Sequence, residues 1–244
     1  MIPKVIHYCW FGGNPLPKSA QKCIASWRKY LPDYEIKEWN ESNFDVNIIP
    51  YTAEAYRMKK YAFVSDYARF WILYKYGGLY FDTDVEVIAP MDDIIERGNF
   101  MGQEKVKLSW QLEEVPATNP GLGLGVAPGL GLIAELLSFY QNHHYISWTG
   151  FHKSTETIVE ITTRILEKHS SKNIGNGITE YKDLYVYSPE YFCPKDYSTG
   201  ELRITSNTKS IHHYAATWLS KETICQKITR RLKGVLVRIA LLFS

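Results

Sequence analysis

The chain has 244 residues, with 28 Lys and Arg against 26 Asp and Glu, for a formal net charge of +2. That length suits one large α/β domain that needs no disulfide or metal staple, and the near-neutral charge excludes a strongly basic nucleic-acid binder. With 45% hydrophobic and 22% charged residues, a disordered chain is excluded as well.

In chain order, Lys4–Trp10 reads as a strand running into a Gly12-Gly13-Asn14-Pro15 turn. Lys18–Tyr30 reads as a helix, with Ala20, Ile24 and Trp27 at helical spacing and a stop near Pro32. Tyr34–Trp39 reads as a second strand. A long helix is expected over Ala53–Tyr76, capped by Thr52 and ended by Gly77-Gly78. Leu79–Phe81 is a short apolar strand that ends in Asp82-Thr83-Asp84, and Val85–Ile88 stays extended up to Pro90. Phe100–Gln103 reads as a strand, 105–118 has no clear period, and 121–131 is glycine-rich. Helices are expected over Leu130–Gln141 and Ser154–His169, and late strands over Leu184–Tyr187 and Ser210–His213. Alternating strands and helices predict one α/β domain over 1–219 with a mixed, mostly parallel sheet flanked by helices. In such sheets ligands bind beyond the carboxyl ends of the strands, where Trp10 and the acid pair fall.

The last stretch differs in charge. Residues 221–244 hold six basic side chains (Lys221, Lys227, Arg230, Arg231, Lys233, Arg238) and one acid, Glu222. Apolar Ile224, Ile228, Leu232, Val235, Leu236, Ile239 and Leu242 recur at three- and four-residue spacing. A basic amphipathic helix over 220–244 is expected, docked on the core or lying on an anionic membrane surface. Gly234–Phe243 falls short of the ~20 residues a spanning helix needs. Pro3 and Lys4 interrupt any signal-like start, and Cys9, Cys23, Cys193 and Cys225 show no CxxC spacing. Free thiols in a reducing compartment are expected, and with them a cytoplasmic location or a peripheral one on the cytosolic face of a membrane.

Three groups of residues carry chemistry. Asp82 and Asp84, two apart in extended chain, project to one side and offer hard oxygen ligands for Mn²⁺ or Mg²⁺; Glu86 continues their phase. Asp66 and Arg69 share one face of a helix that is apolar nearly all round, so they form either a structural bridge or a site for phosphate and sugar hydroxyls. His212-His213 ends a strand, as a packed pair or as a metal ligand. Trp10 is a base platform or core. Gln103 and Glu104, after a strand, read as a surface loop, with lining of an acceptor site as the alternative. Gly121-x-Gly123-x-Gly125 lacks the spacing of a dinucleotide loop.

Together these motifs resemble glycosyltransferase family 32. Ile2-Pro3-Lys4-Val5-Ile6-His7-Tyr8-Cys9-Trp10-Phe11-Gly12-Gly13 resembles its opening; Ser65-Asp66-Tyr67-Ala68-Arg69 and Leu73 through Asp84 resemble its DxD sugar-binding region; and His213-Tyr214-Ala215-Ala216-Thr217-Trp218 is similar to the closing motif of retaining transferases. The region is also similar to that of the clostridial glucosylating toxins and the initiating mannosyltransferases. The resemblance implies a GT-A fold and a retaining, metal-dependent transfer from a nucleotide-diphosphate sugar to a glycan or lipid-linked oligosaccharide, in surface-polysaccharide synthesis. UDP-sugars stand ahead of GDP-mannose as donor. It further implies that Trp10 stacks on the base, with Tyr8 and Tyr80 beside the donor. Asp66 and Arg69 hold the sugar and its phosphate, and Thr217 and Trp218 close over the diphosphate. Asp82 bridges sugar and metal, Asp84 ligates the metal, and His213 is its third ligand, with His212 as rival. The catalytic set is then Asp82, Asp84 and Arg69.

Two other classes fit parts of the chain. Leu79–Val85 also fits the hhhDxDx part of the hhhDxDx[TV] pattern of haloacid-dehalogenase-like phosphohydrolases, in which the first Asp is a nucleophile, with Glu86 at its last position. A catalytically silent sugar-binding protein would keep the fold without turnover.

Overall fold

The computed structural model describes residues 1–146 and 156–215. Met1–Tyr214 is one compact unit. The closing Thr217-Trp218 pair and the basic tail lie outside the described residues.

The chain opens with β1 (Val5–Cys9), α1 (Lys18–Tyr30) and β2 (Glu35–Trp39), as expected. The long helix expected over Ala53–Tyr76 is instead two, α2 (Pro50–Arg57) and α3 (Tyr61–Tyr76). The break is at Lys59, which takes a left-handed φ of 56°. There the Lys60 amide reaches back to the Ala55 carbonyl at 2.9 Å and closes α2. No glycine marks this stop, so the apolar period runs through it unbroken. Thr52 is no cap either. It lies inside α2, its hydroxyl donating to the Ile49 carbonyl at 3.0 Å, while Pro50 starts the helix with its ring-fixed φ.

Gly77 ends α3 at φ 65° and Gly78 follows at φ 104°. A Cβ on Gly78 would stand 2.6 Å from the Val5 carbonyl. The pair therefore turns a helix directly into β3 (Gly78–Tyr80), tight against β1. After β4 (Val85–Val87) and α4 (Asp92–Arg97) come β5 (Phe100–Val106) and β6 (Val115–Val126). Next are α5 (Gly131–Gln141) and α6 (Ile158–Leu166); Thr157 and Glu160 cap α6 reciprocally. The chain continues through β7 (Ser171–Gly175), β8 (Ile178–Tyr181), β9 (Leu184–Tyr187), α7 (Pro189–Phe192) and β10 (Ser210–His212).

Among the described residues, eight strands form one sheet in the order β2-β1-β3-β6-β5-β9-β8-β7, and β10 pairs with β4. The sheet is mixed and flanked by helices, which is the α/β class expected. It is not mostly parallel: β1 is parallel to β2 and β3, and β5 to β9, but β6 runs against both β3 and β5, and β7, β8 and β9 form a meander. The cause is β6, a strand built on Gly121, Gly123 and Gly125, whose low strand propensity reads as loop. Leu79 and Phe81 face a core shared with Trp27 of α1. Tyr80 faces the other layer, shared with Phe70 of α3 and Ile133 of α5. Alternation along β3 thus delivers Asp82, two residues beyond Tyr80, toward the α3 side.

His7 ties these parts together. Trp39 Nε1 donates to its Nδ1 at 3.0 Å, so its Nε2 carries the hydrogen and donates to the Gly77 carbonyl at 3.0 Å. Burial holds this neutral ring down to about 4, against the Gly77 hydrogen bond and with help from the Lys37 charge. An unfolded histidine titrates near 6.5, so between pH 6.5 and 4 the unfolded chain binds more protons. Stability from His7 is intact above that window and falls by about 3 kcal/mol as the pH drops through it. Unfolding free energy should therefore decline more steeply from pH 6.5 to 4.5 in the natural protein than in His7→Gln. Equal slopes would show that the ring is not held neutral.

Candidate active site

Arg69 is the centre of the site. It lies on the buried face of α3, 3% exposed, too deep to be left without partners. Its Nη2 stands 3.0 Å from Asp66 Oδ1 and 3.3 Å from Asp82 Oδ1, and its Nη1 donates to Asp82 Oδ2 at 3.4 Å. The guanidinium also lies over the Tyr80 ring, 4.8 Å from its centre, and the Tyr80 hydroxyl donates to Asp82 Oδ1 at 3.2 Å. The two readings of Asp66 and Arg69 therefore merge. The bridge exists, and it extends to the first acid of the pair.

One guanidinium faces two carboxylates, which leaves an excess of negative charge. Burial pushes the Asp66 carboxyl up to about 7, against the pull of Arg69 and with the push of Asp82. Arg69 stays charged, the surrounding acids outweighing its burial.

Gly121 makes room for this cluster. Its carbonyl accepts from the Asp82 amide at 2.9 Å. A Cβ there would overlap Asp82 Oδ2 and stand 3.0 Å from Arg69 Nη1. The register explains the approach: Gly102 faces Asn119 while its neighbour Met101 faces Leu124, so residues 120–123 bulge out of the β5–β6 ladder. Asn119 Oδ1 steadies the bulge by accepting from the Gly121 amide at 2.8 Å.

The pairing of β10 with β4 separates the two histidines, since His212 lies opposite Val85. His212 Nε2 faces Asp84 Oδ2 at 3.3 Å. His213 turns the other way, its Nε2 2.7 Å from Glu86 Oε2. The geometry favours His212 over the expected His213 as a donor beside the acid pair, because neighbours on a strand point to opposite sides. Glu86 is likewise drawn off toward His213. Burial works to lower the His212 pKa, but hydrogen bonds to Asp84 and Cys193 and their charges hold it well above the ordinary value.

Trp10, half-buried at the carboxyl end of β1, donates from Nε1 to the Asn14 carbonyl at 2.5 Å. Tyr8 stands apart from the Arg69 cluster. It is buried edge-on against Trp27, and its hydroxyl donates to Glu38 at 2.6 Å.

Glu104 does not lie in the surface loop that its sequence context suggests; it is a buried residue of β5, 7% exposed. Burial pushes its carboxyl up, against the His212 charge and hydrogen bonds from Asn119 and Tyr214. Cys193, at the end of α7, is buried as well, its Sγ 2.9 Å from the Tyr214 hydroxyl. The sequence assigns no role to Asn119, Cys193 or Gly121, and none beside the acid pair to Glu104. Phe100 and Val106, which lie in the same period-two phase as Glu104, are the only local hint that it sits on a strand.

Residues 17–101 match the family described as glycosyltransferase sugar-binding region containing DXD motif. The chain is 29% identical over 111 residues to inositol phosphoceramide mannosyltransferase 1 of Schizosaccharomyces pombe, covering 41% of this chain and 33% of that protein. It is 28% identical over 152 residues to inositol phosphoceramide mannosyltransferase 3 of the same yeast, covering 59% and 40%. The chain thus spans well under half the length of these curated relatives. Among solved structures, the PaToxG glycosyltransferase superposes with a TM-score of 0.48 at 18% identity, covering 68% of this chain and 69% of that one. Asp66, Arg69, Asp82 and Asp84 all fall inside the segment that resembles this DXD sugar-binding region.

Proposed function

We propose that the protein is a metal-dependent, retaining glycosyltransferase that moves a hexosyl group from a nucleotide-diphosphate sugar to a glycan acceptor. The observation that carries this reading is the charge arrangement at the end of β3: Arg69 between Asp66 and Asp82, with Asp84 and His212 alongside. Asp66, Asp82, Asp84 and Glu104 outnumber Arg69 and His212, and a divalent cation offsets that excess. Asp82 and Asp84 supply hard oxygens and His212 a nitrogen, a donor set that suits Mn²⁺ or Mg²⁺. When bound, such an ion stabilises the charge that grows on the departing nucleoside diphosphate.

Arg69 contributes fixed positive charge to the same oxygens, and Asp66 holds sugar hydroxyls. Trp10, at the carboxyl end of the neighbouring strand, offers the base a flat face. With retention, the acceptor oxygen bonds to the anomeric carbon on the face from which the diphosphate leaves, and its proton passes to the departing phosphate oxygen. An α-linked donor then yields an α-linked product, and the anomeric proton signal of the product tests this. The acceptor class that fits the family resemblance is a growing glycan on a lipid carrier. The curated relatives are named as mannosyltransferases, which is reason to test GDP-mannose beside the UDP-hexoses.

A panel of nucleotide sugars, scored for donor hydrolysis and transfer, tests the activity. The released product should be a nucleoside diphosphate; free phosphate would favour the phosphohydrolase class. Excess EDTA should abolish turnover and Mn²⁺ should restore it, and Asp84→Asn should lower it by about 100-fold with the fold intact. Full turnover in EDTA would remove the metal from the mechanism.

A further inference from the structure

Behind the acid pair, Glu104, Cys193 and His212 converge from β5, the end of α7 and β10. One ligand atom from each lies within 4.8 Å of the other two. Glu104 and Cys193 are buried, and the His212 side chain is 13% exposed. The His212 ring is held firmly on one side only: Nε2 faces Asp84, while the buried Nδ1 has nothing beside it but the Cys193 thiol. A thiol is a weak partner for a buried ring nitrogen, and a buried polar atom so poorly matched is costly unless something better fills the position.

We propose that Glu104, Cys193 and His212 form a second divalent-cation site, suited to zinc and linked to the acid pair through the His212 ring. Thiolate, imidazole and carboxylate together make a soft-to-borderline donor set that Zn²⁺ takes and that Mn²⁺ and Mg²⁺ do not favour. Tetrahedral zinc, with bonds of about 2.0–2.3 Å, sets its ligand atoms roughly 3.3–3.8 Å apart, so side-chain shifts of about an ångström close the site. Binding replaces protons and changes no oxidation state. The Cys193 thiol releases its proton to solvent as the S–Zn bond forms, and Nδ1 gives up its own. Nε2 keeps its hydrogen on Asp84, so the ring joins metal to carboxylate, an arrangement common around metal-bound histidine.

The binding claim stands on these three residues alone. Its functional consequence rests on the activity proposed above: zinc at this site locks the ring that would otherwise serve the acid-pair metal, and so lowers Mn²⁺-supported transfer.

The test uses the metal-free full chain titrated with Co²⁺, a spectroscopic stand-in for zinc whose bond to thiolate gives a near-ultraviolet charge-transfer band. The band should appear, saturate at one ion per chain and be displaced by Zn²⁺ but not by Mn²⁺. It should vanish in Cys193→Ser. In Glu104→Gln, Co²⁺ should bind roughly 10–100-fold more weakly. It should persist in Asp82→Asn, whether or not that variant retains transfer, which separates this site from the acid pair. Absence of a thiolate band in the natural protein would overturn the proposal, as would a band that survives Cys193→Ser. If Cys193→Ser fails to fold, an unweakened band in Glu104→Gln overturns it instead.

Discussion

Arg69→Ala should cost about 3–5 kcal/mol of folding stability, the usual loss when one partner of a buried charge pair is removed. The guanidinium side chain is 4% exposed, so solvent does little to screen the Asp66 and Asp82 carboxylates left behind. The deficit should depend on pH. Asp66 is already raised in the fold, to about 7. An acid raised in this way loses stability as the pH climbs from its unfolded value toward its folded one. Without Arg69 that folded value moves higher, so the deficit grows from pH 6 to pH 8. Arg69→Lys keeps the charge but not the fork that reaches both carboxylates, and should fall between the two. Donor binding should weaken in Arg69→Ala by about 1.5–3 kcal/mol through loss of a charge-assisted contact. Urea titrations at the two pH values and calorimetry with the best donor measure both effects. An unchanged urea midpoint would show that the bridge contributes nothing.

Gly121→Ala should remove most activity while the protein stays folded. Its φ is not in the left-handed region, so the backbone accepts alanine. The collision is with Asp82 Oδ2 and Arg69 Nη1. Overpacking of this kind costs about 1–3 kcal/mol, which a domain of this size survives. Displacing Asp82 by about an ångström moves it away from the guanidinium, and misplacement on that scale lowers rates by about 100-fold. Gly131→Ala is the matched control, since a Cβ there meets open space at the start of α5. Metal-dependent turnover is the readout. Full activity in Gly121→Ala would mean that the bulge of β6 does not position the acid pair.

Much of the site is legible in the order of residues along the chain. The apolar run Gly78–Phe81 can only be a buried strand, and Asp82 and Asp84 must leave it at its end. Asp66 and Arg69, three apart on a helix that is apolar nearly all round, must be buried together. These are local relations, set by the periods of strand and helix, and sequence alone determines them. The boundaries of α1 and β9 follow from the same periods.

The sequence leaves open which distant residues meet. The order of strands brings β6 between β3 and β5, and only that order sets Gly121 against Asp82. A glycine-rich segment carries no apolar period, so its place in the sheet is decided by the ring and carboxylate atoms that need the space its missing side chains leave. The His212-His213 doublet is ambiguous as a string. Pairing of β10 with β4 decides that His212 faces Asp84 and His213 faces Glu86, because register, not composition, assigns each residue to a face. Glu104 and Cys193 are 89 positions apart, and neither carries a local signal of function. Tertiary packing alone places them around one histidine, where burial leaves its inner nitrogen only a thiol for a partner.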